Sequence, residues 1–476
     1  MNEHLSASSV DSPDTRMVFT EETRVILERP ESRGEGPDDD YAQALQELLG
    51  VRVAVTSPET LHGEHIPGAP AAQQRLDPIT GETTLFSAVR MARPNVLDCA
   101  VADEGAESDP RDCPFCVGNE NQTPRSVWEA SLPREELLHS VQELNEEQRE
   151  RVLSSTWSVR VVPNLFPAVA SPASSTLDGV PRDTETRVNE NRAVLATKHA
   201  GIGRMGTLHL ESTAASSNRR TVMSPSHGGH EVIIESARHV RSFSELTPGE
   251  ISLVFAAYAS RLRYWRRQPG IRSLSVFKNV GRDGGASLPH THSQLIASNQ
   301  PLGGTQRMEA NLASYYEQTG RPLVLDLLHD ELRAGERVIA RSDQLVAVCP
   351  YASRFASMVR LSSTEQCSAF EDLPIATIER VARLTRRAVL WLEQIYPSLA
   401  YNVVLNTRQP NSDLPDDAQQ WFIDIIPRIS RLAGFELATH ATINPVFPEL
   451  AAARLRQQAR RSDPRTAWYY KRSHSL

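Results

Sequence analysis

His290 and His292 stand two residues apart in the stretch SLPHTHSQLIAS, Ser287 to Ser298, and Gln294 continues the alternation. Read as a strand, this stretch puts His290, His292 and Gln294 on one face and Thr291, Ser293 and Leu295 on the other. One reading is a metal-binding or simply polar edge strand. The other is a nucleophile with its support: an imidazole attacks phosphorus when one ring nitrogen is held by a hydrogen bond and the other keeps its lone pair. His292 is the candidate nucleophile, and Gln294 is an amide placed to hold a phosphoryl oxygen.

Such a histidine needs phosphates brought to it. The preceding FKNVGRDGGASLPH supplies Gly281, Gly284 and Gly285, whose backbone can approach a phosphate closely, and the uncharged donors Asn279 and Ser287. A glycine-rich loop can equally do no more than turn the chain. Upstream, DPITGETTLFSAVRMARP carries Arg90 and Arg93 after a hairpin turn at Thr80 and Gly81. Two guanidinium forks match a diphosphate, and a solvated surface pair is the competing reading. In DCPFCVGNE, Cys113 and Cys116 have the spacing to present two thiolates to one zinc ion, with His239 and His290 as candidate completing ligands. A redox pair is the rival. Two cysteines and two histidines would leave zinc no open position, so that metal would be structural.

The elements that must position these residues repeat. WSVRVVPN and HEVIIES read as strands, TPGEISLVFAAYASRLRYWRRQ as an amphipathic helix, and SVFKNVG and the histidine stretch as two more strands. QLVAVCPY, ASMVRLSS, PIATIERVARLTRRAVLWLEQIYP, YNVVLNTR and QWFIDIIPR repeat that order. The fold class expected is α+β, with duplicated halves sharing a mainly antiparallel sheet flanked by helices. The halves are expected at 75–300 and 301–457. A disordered acidic tail at 1–40, a polar insertion at about 170–228 that could be a loop or a lid, and a polar tail at 458–476 complete the organisation.

Composition narrows the function classes. The chain has 476 residues, a net charge of −8 from 51 basic and 59 acidic side chains, and five cysteines. That balance disfavours nucleic acid as a partner, and the low, odd cysteine count disfavours a disulfide scaffold. No apolar run is long enough to span a membrane, and the opening MNEHLSASSVDSPDTR lacks the apolar core of a signal peptide, so a cytoplasmic protein is expected.

Taken in order, DPITGE with R..RP, CPFC.GNE..TP, VVPNLFPA, HEVIIES..H..SFSEL, FKN.G...GASLPHTHSQ and GFELATHATINPVFPE resemble the galactose-1-phosphate uridylyltransferase family, the transferase branch of the histidine-triad superfamily. The resemblance covers roughly residues 75 to 457 apart from the insertion. It implies two histidine-triad-like halves, a nucleotidyl group taken up by His292, and an intermediate steadied by Gln294. It also implies substrate contacts by Arg90, Arg93, Asn279, Gly281 and Ser287, nucleoside contacts by Asn164 and Phe166, and structural zinc on Cys113, Cys116, His239 and His290. Phe435, Glu436 and Asn444 fall in the stretch that contacts the sugar.

Three departures qualify the match. Thr291 replaces the proline between the family's two histidines. Asp424 and Ile426 stand where two histidines of a second metal site would fall, so that site is not expected. Ser430, Phe435, Glu436 and Asn444 mark an altered sugar stretch. The expected activity is transfer of UMP from a UDP-sugar to a hexose 1-phosphate through a nucleotidyl-histidine. The partners would be a nucleotide sugar and a sugar 1-phosphate, and the family implies a homodimer. Two alternatives stand: an adenylyltransferase or phosphorylase acting on an ADP-sugar, and a non-catalytic zinc-stabilised nucleotide-binding protein. Gln294 weighs against a hydrolase, because an amide neither protonates a leaving group nor activates water.

Overall fold

The structure is a computed structural model that describes residues 71–88, 90, 109–169, 225–342 and 344–462. The proposed tail at 1–40, nearly all of the insertion, Arg93 and residues 463–476 lie outside the described residues. The chain enters through a hairpin, β1 (Gln73–Leu76) and β2 (Thr83–Phe86), closed by a turn in which Gly81 takes a φ of 69°. A short strand β3 (Trp128–Ala130) and two helices, α1 (Arg134–Ser140) and α2 (Glu146–Leu153), precede the first repeat.

That repeat runs β4 (Val159–Pro163), β5 (Gly228–Ile234), α3 (Pro248–Arg266), β6 (Ser273–Val280) and β7 (His292–Ser298). Helix α3 starts where Thr247 and Glu250 cap each other's backbone N–H and Pro248 fills the first turn, where no N–H is needed. Helices α4 (Gly303–Thr319) and α5 (Leu323–Ala334), neither evident as elements in the sequence pattern, link the halves; each ends on a left-handed glycine, Gly320 and Gly335. The second repeat is β8 (Val338–Arg341), β9 (Leu345–Val348), β10 (Val359–Ser363), α6 (Ile375–Ile395), β11 (Tyr401–Asn406) and β12 (Phe422–Pro427). Helix α7 (Gly434–Thr439), β13 (Thr442–Asn444) and α8 (Pro448–Ser462) close the chain, so the helix takes up the first residues of the expected polar tail.

The ten-stranded sheet has the order β3-β4-β5-β7-β6-β11-β12-β10-β9-β8. Read inward from either edge, each half follows the same sequence of strands, and the two meet where β6 pairs antiparallel with β11, Lys278 opposite Val403. All neighbours in this sheet are antiparallel. This is the expected α+β architecture of duplicated halves. A second sheet, β1-β2-β13, joins the first two described strands to the last, with Thr84 opposite Thr442.

Burial alternates along the central strands. Leu274, Val276 and Lys278 on β6 and Tyr401, Val403 and Leu405 on β11 are buried, whereas Ser275, Phe277, Asn279, Asn402, Val404 and Asn406 are half-buried. The buried face packs beneath α3 and α6 in one core that includes Phe255, Phe370, Tyr401, Trp421 and Leu295. The other face of the central strands stays partly open, and Gln294 and Ile296 lie on it. Among the described residues no helix is long and apolar enough to cross a membrane.

Candidate active site and metal centre

Cys113, Cys116, His239 and His290 converge, with one ligand atom of each within 4.8 Å of the others. Cys116 Sγ lies 3.2 Å from His239 Nδ1, and His290 Nδ1 is 3.5 Å from both sulfurs. These are the edge lengths of a tetrahedron around one zinc ion bound at about 2.0–2.3 Å. The His290 Nε2–H donates to the Ser236 carbonyl at 3.0 Å, which leaves Nδ1 bare toward the sulfurs, as a ligating imidazole requires. The hydrogen bond from Cys116, joined by His239 and His290, lowers the Cys113 thiol pKa, while Cys113 raises that of Cys116. Two thiolates this close need a cation between them, and the donor set fits zinc. The loop carrying His239 is held by Arg238, whose guanidinium pairs with Glu250 at the start of α3.

His290 falls just before β7 rather than within it, so the strand face proper is His292 and Gln294. His292 Nδ1–H donates to the His290 carbonyl at 2.8 Å, leaving Nε2 with its lone pair. Desolvation pushes the His292 pKa down to about 4, so the ring is neutral and can act as a nucleophile. Phe115, between the two cysteines, packs edge-on against both imidazoles, 5.2 Å from His292 and 6.0 Å from His290. Gln294 Oε1 accepts from His230 Nε2 at 2.7 Å, and Asn164 Nδ2 lies 3.1 Å from the same nitrogen. Asn164 Oδ1 in turn accepts the Phe166 N–H at 2.8 Å, and the Phe166 ring is 61% exposed. Asn164, Phe166, His230 and Gln294 therefore form one row beside His292.

Behind β7 lies a network that the sequence reading missed. Lys278 Nζ, fully buried, donates to Glu235 Oε2 at 2.6 Å, to Thr291 Oγ1 at 2.8 Å and to the His292 carbonyl at 3.2 Å. Thr291 and Ser293 donate to the same carboxylate, and Tyr258 closes the group. Thr291 points away from His292, as the strand alternation predicts, and its hydroxyl enters this network where a proline would bring none.

The glycine loop has packing reasons of its own. A Cβ on Gly284 would fall 2.2 Å from the Val280 carbonyl oxygen, and one on Gly281 2.9 Å from the Ala400 Cβ. Gly285, with φ of 83°, meets only Asn279 Nδ2 at 3.9 Å. Asn279 Oδ1 accepts from Asn402 Nδ2 at 2.8 Å, and Ser287 is exposed. Arg90 is half-buried and its N–H donates to the Ser87 carbonyl at 3.2 Å.

The expected sugar contacts fare differently. Asn444 is buried, with Nδ2 on the Ser353 carbonyl at 2.8 Å and Oδ1 on the Val446 N–H at 2.9 Å, and its own carbonyl accepts the Ser87 N–H. Both ends of its side-chain amide are taken by the backbone of Ser353 and Val446, and its carbonyl holds Ser87, three residues before Arg90. Glu436 caps α7 by accepting the Ala433 N–H at 2.9 Å, while Phe435 is exposed. Asp424 is taken by Arg360 in a buried two-pronged pair at 2.7 and 2.8 Å.

Comparison with known proteins agrees with this architecture. The chain is 27% identical over 390 residues to ADP-glucose phosphorylase of Arabidopsis thaliana, across 80% of this chain and 92% of that protein. It is 22% identical over 244 residues to galactose-1-phosphate uridylyltransferase of Thermotoga maritima, across 49% of this chain and 74% of the relative. The crystal structure of the Arabidopsis thaliana ADP-glucose phosphorylase with bound ADP-glucose superposes with a TM-score of 0.58 at 23% identity, covering 82% of this chain and 99% of that one, which shows the fold. A family model described as a domain of unknown function, DUF4921, matches residues 71–465, so the chain belongs to that family and shares the fold of the galactose-1-phosphate uridylyltransferase-like proteins.

Proposed function

We propose that this chain is a nucleotidyltransferase that works through a covalent nucleotidyl-histidine on His292 and acts on an ADP-sugar. The observation that carries the chemistry is the His292 ring, neutral, held through Nδ1–H and flanked by Gln294. The choice of base rests on the similarity to ADP-glucose phosphorylase across 80% of the chain, against 49% for the Thermotoga maritima uridylyltransferase. The UDP-sugar reading favoured by the motifs alone gives way to the ADP-sugar alternative.

In this reaction Nε2 attacks the phosphorus next to adenosine, the N–P bond forms, and the bond to the bridging oxygen breaks to release sugar 1-phosphate. An oxygen of inorganic phosphate or of a phosphate-bearing acceptor then attacks the same phosphorus and returns the electron pair to Nε2. Gln294 donates its amide to a phosphoryl oxygen in both steps, and Arg90 with Arg93 neutralises the diphosphate. Asn164 and Phe166 receive the nucleoside. Zinc on Cys113, Cys116, His239 and His290 would serve as a structural clamp on the strand that carries His292. The test is product analysis: ADP-glucose with inorganic phosphate should yield ADP and glucose 1-phosphate. Turnover only of UDP-glucose with a hexose 1-phosphate would return the chain to the uridylyl reading.

A further inference from the structure

We infer that His230 and Asn402 are positioning residues that lock the amides of Gln294 and Asn279 so that both turn only N–H donors toward a phosphoryl group beside His292. Each orientation is anchored by a backbone group whose role is fixed. The Ala168 N–H can only donate, and it lies 3.1 Å from His230 Nδ1, so that nitrogen is the acceptor and the proton of the neutral ring sits on Nε2. Of the two side-chain groups facing Nε2, only Gln294 Oε1 at 2.7 Å can accept its proton; the other, Asn164 Nδ2 at 3.1 Å, is itself a donor, because Asn164 Oδ1 takes the Phe166 N–H. The amide nitrogen of Gln294 therefore faces away from His230.

On the neighbouring strand the anchor is the Gly284 carbonyl, which can only accept and lies 2.7 Å from Asn402 Nδ2. That nitrogen's second hydrogen reaches Asn279 Oδ1 at 2.8 Å, which turns the Asn279 amide nitrogen away. Lys278 pairs with Ser293, and continuing this register by one residue sets Asn279 across from His292 on the open face. The nucleophile thus has one donor-only amide across the strand pair and another two residues along its own strand. Two neutral donors fixed before substrate arrives stabilise charge on a phosphoryl oxygen without reorganising, and they present no lone pair to repel it.

The inference rests on the proposed nucleotidyl transfer for the identity of the anion, and double-mutant cycles test it apart from that reading. His230→Phe should slow single-turnover adduct formation from ADP-glucose roughly tenfold or more. In a Gln294→Ala background the same change should alter the rate less than about twofold, since the group it orients is gone. Asn402→Leu with Asn279→Ala should behave alike, and His230→Gln, which keeps an N–H donor, should recover part of the loss. Undiminished effects of His230→Phe and Asn402→Leu in the alanine backgrounds would overturn the assignment. If the wild-type chain forms no adduct, the proposed function fails, and the same cycles read on affinity for ADP decide the inference: non-additive losses uphold it and additive losses refute it.

Discussion

Lys278→Met isolates the worth of the buried charge network behind β7. The ammonium and the Glu235 carboxylate are 1% and 0% exposed, so removing the ammonium strands a carboxylate with no access to water. Burial lowers the Lys278 pKa, and the Glu235 charge opposes that shift. Breaking such a pair from one side costs about 3–5 kcal/mol. The double change Lys278→Met with Glu235→Gln removes both charges and keeps an amide among the Thr291, Ser293 and Tyr258 hydroxyls, so the remaining loss is about 1–3 kcal/mol. The double variant should therefore be more stable than the single one. At this chain length roughly 1 °C of melting temperature accompanies each kcal/mol, so calorimetry should find Lys278→Met lowered by about 3–5 °C and the double variant by about half of that or less. Because Lys278 also holds the His292 carbonyl, transfer should slow in both. A single variant melting within about 1 °C of wild type, or a double variant worse than the single, would refute this account of the network.

The remaining predictions concern the metal, the second half and the phosphate clamp. Elemental analysis should find one zinc per chain, and Cys113→Ser should abolish it and lower the melting temperature; zinc-free protein indifferent to a chelator would contradict the clamp. Arg360→Met should destabilise by about 3–5 kcal/mol, because it leaves the Asp424 carboxylate buried and unpaired, whereas the paired change to Met and Leu should be close to neutral; denaturant unfolding distinguishes the two. Arg90→Lys should weaken transfer while leaving the melt unchanged, because a lysine keeps the charge but not the two-pronged fork; equal kinetics would make Arg90 a surface charge.

The duplicated strand order, the helix α3, and the convergence of Cys113, Cys116, His239 and His290 were legible because each depends on local periodicity or on strong ligand chemistry. His230, Asn402, Lys278 and Glu235 were not. Each sits in a stretch that reads as strand, and its meaning comes from register: His230 meets Gln294 across 64 positions and Asn402 meets Asn279 across 123. Asn444, expected in the sugar stretch, has an amide that ties down Ser353 and Val446, a pairing across the chain that no local pattern announces. Gly281 and Gly284 were read for phosphate, but the close approach of Ala400 and the Val280 carbonyl already forbids a side chain there.

The most direct test of the central claim is the intact mass of the purified chain after incubation with ADP-glucose and no acceptor, followed by peptide mapping. The account predicts a gain of one AMP unit per chain, acid-labile, mapped to His292, absent in His292→Ala and discharged by inorganic phosphate. No adduct with either ADP-glucose or UDP-glucose, or an adduct on another residue, would contradict it.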